Sequence, residues 1–376
     1  MRSFLIAVLA CQAFLAACAT MEVPEPPVAE DELPPNTEIV LLGEPQDGMR
    51  LPVIYVFDAD RNLHVVESAV KVLQWAEVMP PVLLVGVTPT DRMAEYTPTL
   101  DEEVSETSGQ SDELLGFIDE TVRPYLSRNY PVSEFEVLHG HSLSGLFVLD
   151  AMLKEPDRYD GVIAIGPSVW WDQENVPVRA SADCSAPERR RVFLSLSNET
   201  DSRPGTLSLA ASCASETSDG PATVLKEYPR EDHVTAVTPA THDGLRYVFA
   251  AWNMDPLYEA RDVGAIEQRL ALLEDLTGGT QYVNVPAFAS LGRSFTRGGD
   301  PQTAIRLLEQ LNDIAPDQIM VLNFLGEAYN EAEDYASACQ TLQKSFVIAT
   351  EKKSPMTRWI SRQADVSNEH VDCTVE

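Results

Sequence analysis

The chain is short of positive charge: 27 Lys plus Arg stand against 59 Asp plus Glu, a formal net of −32 at pH 7 over 376 residues. So acidic a surface repels nucleic acid and anionic membrane surfaces, which excludes both as charge-held partners. No apolar run reaches the roughly 20 residues that a membrane-spanning helix needs. The six cysteines include no Cys-x-x-Cys and no His-rich neighbourhood. The sequence therefore offers no metal-binding pattern.

What is there starts with Met1-Arg2-Ser3 and an apolar stretch over 4–17, broken only by Gln12. This reads as a signal peptide over 1–17. Its end, Leu15-Ala16-Ala17-Cys18, resembles the lipobox of bacterial lipoproteins, which implies lipid on the sulfur of Cys18. An ordinary secretory signal with an incidental cysteine is the alternative. Residues 18–36 are acidic and rich in proline, with Pro24, Pro26, Pro27, Pro34 and Pro35, and suit an extended tether. The expected location is the cell envelope, lipid-anchored on the periplasmic side. Ala19, where Asp would direct retention, leans to the outer membrane. Four cysteines remain in the body of an exported chain. Pairing by nearness gives Cys184 with Cys213 and Cys339 with Cys373, each closing a loop worth roughly 3 kcal/mol on the chain-entropy model.

From 37 to about 253, short apolar runs alternate with amphipathic stretches. That order predicts an α/β fold with a mostly parallel sheet and helices on both faces. Strands are expected at 52–58 (PVIYVFD), 82–88 (VLLVGVT), 135–140 (FEVLHG), 161–166 (GVIAIG) and 191–197 (RVFLSLS), with a strand-like run at 224–228. Helical spacing covers 64–78, 111–127 and 143–154. After a connecting segment over 254–282, residues 283–350 repeat with a period of 34. Leu291-Gly292 recurs as Leu325-Gly326, Phe295 as Tyr329, Asp300 as Asp334, Ala304 as Ala338 and Leu308 as Leu342. This resembles the tetratricopeptide repeat, a helix-turn-helix unit, and predicts a small all-α domain. Two copies are legible, and the helical stretch 265–276 or the α/β domain is expected to cover the exposed end. Residues 351–376 read as a tail.

The chemistry concentrates at Gly140-His141-Ser142-Leu143-Ser144-Gly145, which follows a strand and opens a helix. That is the context of a nucleophile elbow, where a serine on a sharp turn projects its hydroxyl above the sheet edge. The usual pattern is Gly-x-Ser-x-Gly, and Ser144 departs from its last glycine. A serine needs a base, oriented in turn by an acid. His233, in a polar loop after 224–228, is the expected base, ahead of His242 on the next helix. Glu199 is the expected acid, with Asp201 as the alternative. The backbone N–H groups of Leu143 and Ala59 are the expected oxyanion donors. Asp60, beside Ala59, is a candidate substrate contact; the alternative for 58–60 is a solvated turn.

The runs GHSLSGLFVLDAMLKEPDRYDGVIAIGPSVWWD (140–172), LPVIYVFDAD (51–60) and VGVTPTDR (85–92), with His233 eleven residues before Gly244-Leu245, resemble the esterase D-like esterase family. That family includes siderophore (enterobactin-type) esterases. The resemblance spans about 200 residues and implies an α/β-hydrolase fold without a cofactor, with Ser142 and His233 catalytic. It also implies that Arg92, Trp170 and Trp171 lie near the pocket, where residue type alone leaves a surface charge and core tryptophans equally open. The expected activity is hydrolysis of a small-molecule carboxylic ester, a siderophore lactone or a small acyl or aryl ester, through an acyl-enzyme. The alternatives are acyl transfer to an alcohol by the same residues, and an envelope scaffold whose repeats bind a protein partner.

Overall fold

The computed structural model describes residues 32–374 apart from 46–48, 185–189, 215, 218–219, 255, 258–261 and 278–283. The stretch expected to be a signal peptide, Cys18 and the first part of the expected tether lie outside the described residues.

A seven-stranded sheet organises the first two-thirds of the chain. Its strands are β1 (Thr37–Leu42), β2 (Leu51–Phe57), β3 (Val82–Val87), β4 (Val132–His141), β5 (Gly161–Ile165), β6 (Arg191–Leu196) and the strand Thr223–Glu227. Their spatial order is β1-β3-β2-β4-β5-β6 and then Thr223–Glu227. All neighbours are parallel except β1, which runs antiparallel to β3. The central strands are apolar throughout because helices cover both faces; every residue of β2, β3 and β5 is buried. β1 is only partly buried, as its edge position dictates, and its weak alternation escapes a search for long apolar runs. Helices Ala59–Trp75 and Val237–Val248 pack together on one face, and Leu143–Lys154 lies on the other.

The first helix begins at Ala59, five residues before the expected 64, directly after the left-handed Asp58. The helical stretch 111–129 is interrupted by a π turn, Ile118–Val122. Pro124, which has no N–H to give the preceding turn, follows at once. Helix Trp171–Ala182 opens with three left-handed residues, Asp172, Gln173 and Glu174.

The C-terminal part is all helix: Val263–Leu276, Val285–Arg297, Pro301–Ile314, Ile319–Glu331, Tyr335–Glu351 and Thr357–Asn368. The period of 34 has a physical origin. A Cβ on Gly292 would stand 2.7 Å from the Leu308 side chain, and one on Gly326 would stand 2.5 Å from Leu342. In each pair a glycine admits the leucine of the following helix. Asp300 and Asp334 cap the second helix of each pair, accepting from the N–H of Thr303 and Ser337. The stretch expected as a tail instead forms the helix Thr357–Asn368, which buries Ile360, Ala364 and Ser367 and closes the array. Disulfides join Cys184 to Cys213 and Cys339 to Cys373, the second fastening that closing helix to Tyr335–Glu351.

Candidate active site

β4 hands over to helix Leu143–Lys154 through one residue. Ser142 sits at φ 62°, ψ −118°, a conformation that costs a non-glycine residue of the order of 1–3 kcal/mol and persists only where its surroundings enforce it. Here they do. Ser142 N–H donates to the Ile165 carbonyl and its own carbonyl accepts from Ser168 N–H, each at 3.0 Å, so the end of β5 holds the elbow from both sides. Gly140 is obligatory, because a Cβ there would lie 2.2 Å from the Ser144 carbonyl oxygen.

The His233 loop is fixed with equal care. Asp232 accepts from the N–H groups of Val234 and Thr235 at 2.9 and 2.8 Å, closing a tight turn around His233. Asn198 N–H donates to the Glu231 carbonyl at 3.1 Å, which ties the loop after β6 to the loop carrying the histidine. Across that seam, Glu199 Oε2 meets His233 Nδ1 at 2.7 Å, and the Ser197 hydroxyl donates to Glu199 Oε1 at 2.9 Å. The acid side chain is 18% exposed and the imidazole 38%, so the pair is anchored at the carboxylate and open at the ring. Burial works to raise the Glu199 carboxyl, but the hydrogen bond and charge of His233, helped by Ser197, hold it below its ordinary range. His233 is raised, first by its hydrogen bond to Glu199 and against the opposing effect of burial.

Among the described residues, Ser142 Oγ has one side-chain partner, the Ser168 hydroxyl at 3.4 Å; its hydrogen bond to the His233 ring is not closed. Such bonds are often long in an unliganded site and tighten with substrate. The neighbouring His141 braces the His233 loop: its Nε2 lies 2.8 Å from the His233 carbonyl oxygen, which can only accept, so Nε2 carries the proton. The two rings are 4.6 Å apart. Burial, and then the nearby charge of His233, push His141 down to about 4.

The Leu143 and Ala59 N–H groups stand at the first positions of their helices and have no acceptor among the described residues. Two helix N-termini thus present open donors. Asp58, immediately before Ala59, is not part of a solvated turn. It is buried, and both its oxygens are held by Arg92, Nε to Oδ1 at 2.8 Å and Nη2 to Oδ2 at 2.9 Å. Asp60 points away to solvent, 3.7 Å from Arg61. Asp201 is exposed beside the Thr200 hydroxyl, not His233. The tryptophans separate. Trp170 is 42% exposed, two residues beyond Ser168. Trp171 is fully buried and donates to the carbonyl and hydroxyl oxygens of Thr99, so it is a core residue and not part of an open pocket wall. Sequence reasoning missed Ser168 as a neighbour of Ser142, and it missed the role of His141, which stands in the elbow motif but whose contact with the His233 carbonyl depends on a residue 92 positions away.

Residues 34–243 match the family model described as "Putative esterase". A siderophore enterobactin esterase of Emericella nidulans is 38% identical over 78 residues, covering 20% of this chain and 26% of that protein. The ferri-bacillibactin esterase BesA of Bacillus subtilis is 29% identical over 142 residues, covering 32% of this chain and 49% of that protein. The chain thus spans half or less of the length of these curated relatives. Among solved structures, an IroE-like serine hydrolase from Shewanella oneidensis superposes with a TM-score of 0.57 at 19% identity, covering 74% of this chain and 93% of that one. An uncharacterised protein from Capnocytophaga ochracea gives 0.60 at 16% identity, covering 89% and 95%. At these identities the likeness is one of fold.

Proposed function

Since the chain belongs to the esterase family through residues 34–243, we propose that it is a serine carboxylic-ester hydrolase working through an acyl-enzyme. The observation that carries this reading is the 2.7 Å contact between Glu199 and His233, beside a serine on a left-handed strand-to-helix turn. In the proposed cycle His233 takes the Ser142 proton as Oγ attacks the ester carbonyl, and the N–H groups of Leu143 and Ala59 receive the oxyanion. The protonated imidazole then gives its proton to the leaving alcohol. Water, activated by the same histidine, releases the acid. Glu199 keeps the imidazole in the productive tautomer and balances its charge.

The substrate proposed is a siderophore lactone or a small acyl or aryl ester. Proteins with the first activity in their names support the former, while the net charge of −32 disfavours a highly anionic substrate. The anchor at Cys18, the envelope location, and tetratricopeptide-like pairs that dock a protein partner belong to the same proposal. The test is hydrolysis of a short-chain p-nitrophenyl ester panel by the full-length chain in detergent, beside Ser142→Ala. Loss of about 10⁴-fold or more in kcat is expected in the variant. Activity that survives the substitution would sink the mechanism. Cys18→Ser, carried through the same preparation, should leave the membrane fraction; if it stays, the anchor is elsewhere.

A further inference from the structure

Ser144 occupies the place where the elbow pattern has its last glycine, and it is completely buried. A buried hydroxyl must be satisfied. This one accepts from the His141 N–H at 2.9 Å, and its own proton faces two oxygens at 2.9 Å, Asp58 Oδ2 and the His141 carbonyl. The charged acceptor makes the stronger bond.

The Asp58 end of that bond is unusual. Aspartate is among the best N-cap residues, and Asp58 stands at the N-cap of helix Ala59–Trp75, yet it makes no side-chain capping bond. Its backbone is left-handed, at φ 53°, ψ 50°, and its carboxylate is turned away from its own helix to Ser144 and the Arg92 fork. Its N–H donates to the Tyr96 hydroxyl at 2.8 Å, which fixes the residue from the other side. Ser142 repeats the arrangement: an N-cap residue of favourable type, left-handed and capping nothing. In both helices the first N–H stays open. These are the donors of Ala59, next to Asp58, and of Leu143, next to Ser144; they follow the paired strands β2 and β4, and a hydrogen bond spanning 86 residues links the two turns beyond the sheet.

We infer that Ser144 is a positioning residue whose hydroxyl, bonded to Asp58, fixes the two halves of the oxyanion hole relative to each other. The inference rests on the ester-hydrolase reading and goes beyond it. It turns the departure from glycine into a clasp: a glycine would leave the Ala59 turn and the Leu143 turn held together by the pairing of β2 with β4, which stops at Val56 and His139, and by the Phe57–Phe147 ring contact. A shift of even 1 Å between oriented groups costs about 10²-fold in rate, and a lost oxyanion donor costs about 10²–10³-fold.

The test uses full-length protein carrying Ser144→Gly, Ser144→Ala or Asp58→Asn, and the double variant Asp58→Asn with Ser144→Ala. Three quantities are read: the rate at which a fluorophosphonate labels Ser142, kcat and KM on p-nitrophenyl acetate, and the Ki of phenylboronic acid, which forms a tetrahedral adduct on the serine. Labelling rate, kcat and boronic-acid affinity should fall together by about tenfold in both Ser144 variants, with KM within about twofold. The double variant should be no worse than Asp58→Asn alone. A residue that merely supports folding would lower the melting temperature and leave these rates, per folded molecule, unchanged. Equal labelling of wild type and both Ser144 variants, or a change confined to KM, overturns the clasp and leaves the esterase reading standing. A wild type labelled no faster than Ser142→Ala overturns both.

Discussion

Left-handed backbone occurs in both halves of the chain and serves different ends in each. In the α/β half it falls at ten described positions, of which Asp58, Ser142 and Gly166 follow directly on the parallel strands β2, β4 and β5. Two of these are N-cap residues that cap nothing, and their polar atoms turn to partners remote in sequence. In the helical half it falls at Gly299, Asp317, Glu333 and Lys353, each two or three residues beyond a helix. There it is punctuation. Asp300 N–H returns to the Phe295 carbonyl and Asp334 N–H to that of Tyr329, the bond that closes a helix end, while each carboxylate opens the next helix. The same backbone departure thus marks chemistry where its contacts are long-range and geometry where they are local. Substitutions at these three strand-end positions should show in rates, and those at the helix ends of the second half in stability.

The sharpest form of that contrast lies in two acids two residues apart. Glu199→Gln keeps shape but loses the charge that orients and balances His233, and should lower kcat by about 10³–10⁴-fold with the fold intact. Asp201→Asn, at an exposed residue away from the histidine, should stay within about twofold. Steady-state kinetics on one ester substrate decides between them. If Asp201→Asn proved the more damaging, the contact at 2.7 Å would not be the working one.

These distinctions also explain what could be read from the sequence. The buried strands were legible because coverage on both faces makes them continuous apolar runs, and helix Leu143–Lys154 because its neighbours on the chain are a strand and a serine turn. The repeat was legible because its determinants, a glycine under a leucine and an aspartate at a cap, are local and recur every 34 residues. Helix Thr357–Asn368 was not, since it buries one narrow face and is otherwise polar, so that its composition resembles a tail. The candidate serine, base and acids could be named from order along the chain. The setting of Asp58 could not, because it depends on Arg92 and Ser144, 34 and 86 residues away. For the same reason Ser144 looked like a flaw in a motif, and Trp171 like a companion of Trp170 when its indole is committed to Thr99.

A smaller effect would test the other side of the comparison. In Gly326→Ala the new methyl would meet Leu342 at 2.5 Å, forcing two helices apart at a cost of about 1–3 kcal/mol. Denaturant unfolding followed by helical signal should shift to lower concentration, while ester hydrolysis per folded molecule keeps its wild-type rate. A parallel loss of activity at denaturant concentrations that leave the helices intact would mean that the halves are not separable in this way.

The smallest predicted effects concern pH, and their signs differ within the site. His233 is raised above its ordinary 6.5 by Glu199, so the neutral base that attack requires is formed only above that value. The acid limb of kcat/KM should therefore lie above pH 6.5, and the residual activity of Glu199→Gln should show it moved downward. For stability, a raised histidine favours the folded state fully below its unfolded pKa, and that contribution is lost as pH rises through the folded value. His139 and His141 act oppositely. Burial lowers them to about 3 and about 4, so the unfolded chain takes up their protons first as pH falls below 6.5. With two such groups set against one, the α/β half should lose stability between pH 6.5 and 4. Replacing His141 by Gln, which can still donate to the His233 carbonyl, should flatten that loss, by about 2–4 °C in melting temperature for each kcal/mol of linkage removed. An unchanged slope in the variant would place the acid sensitivity elsewhere, and early loss of the helical signal would move it to the other half of the molecule.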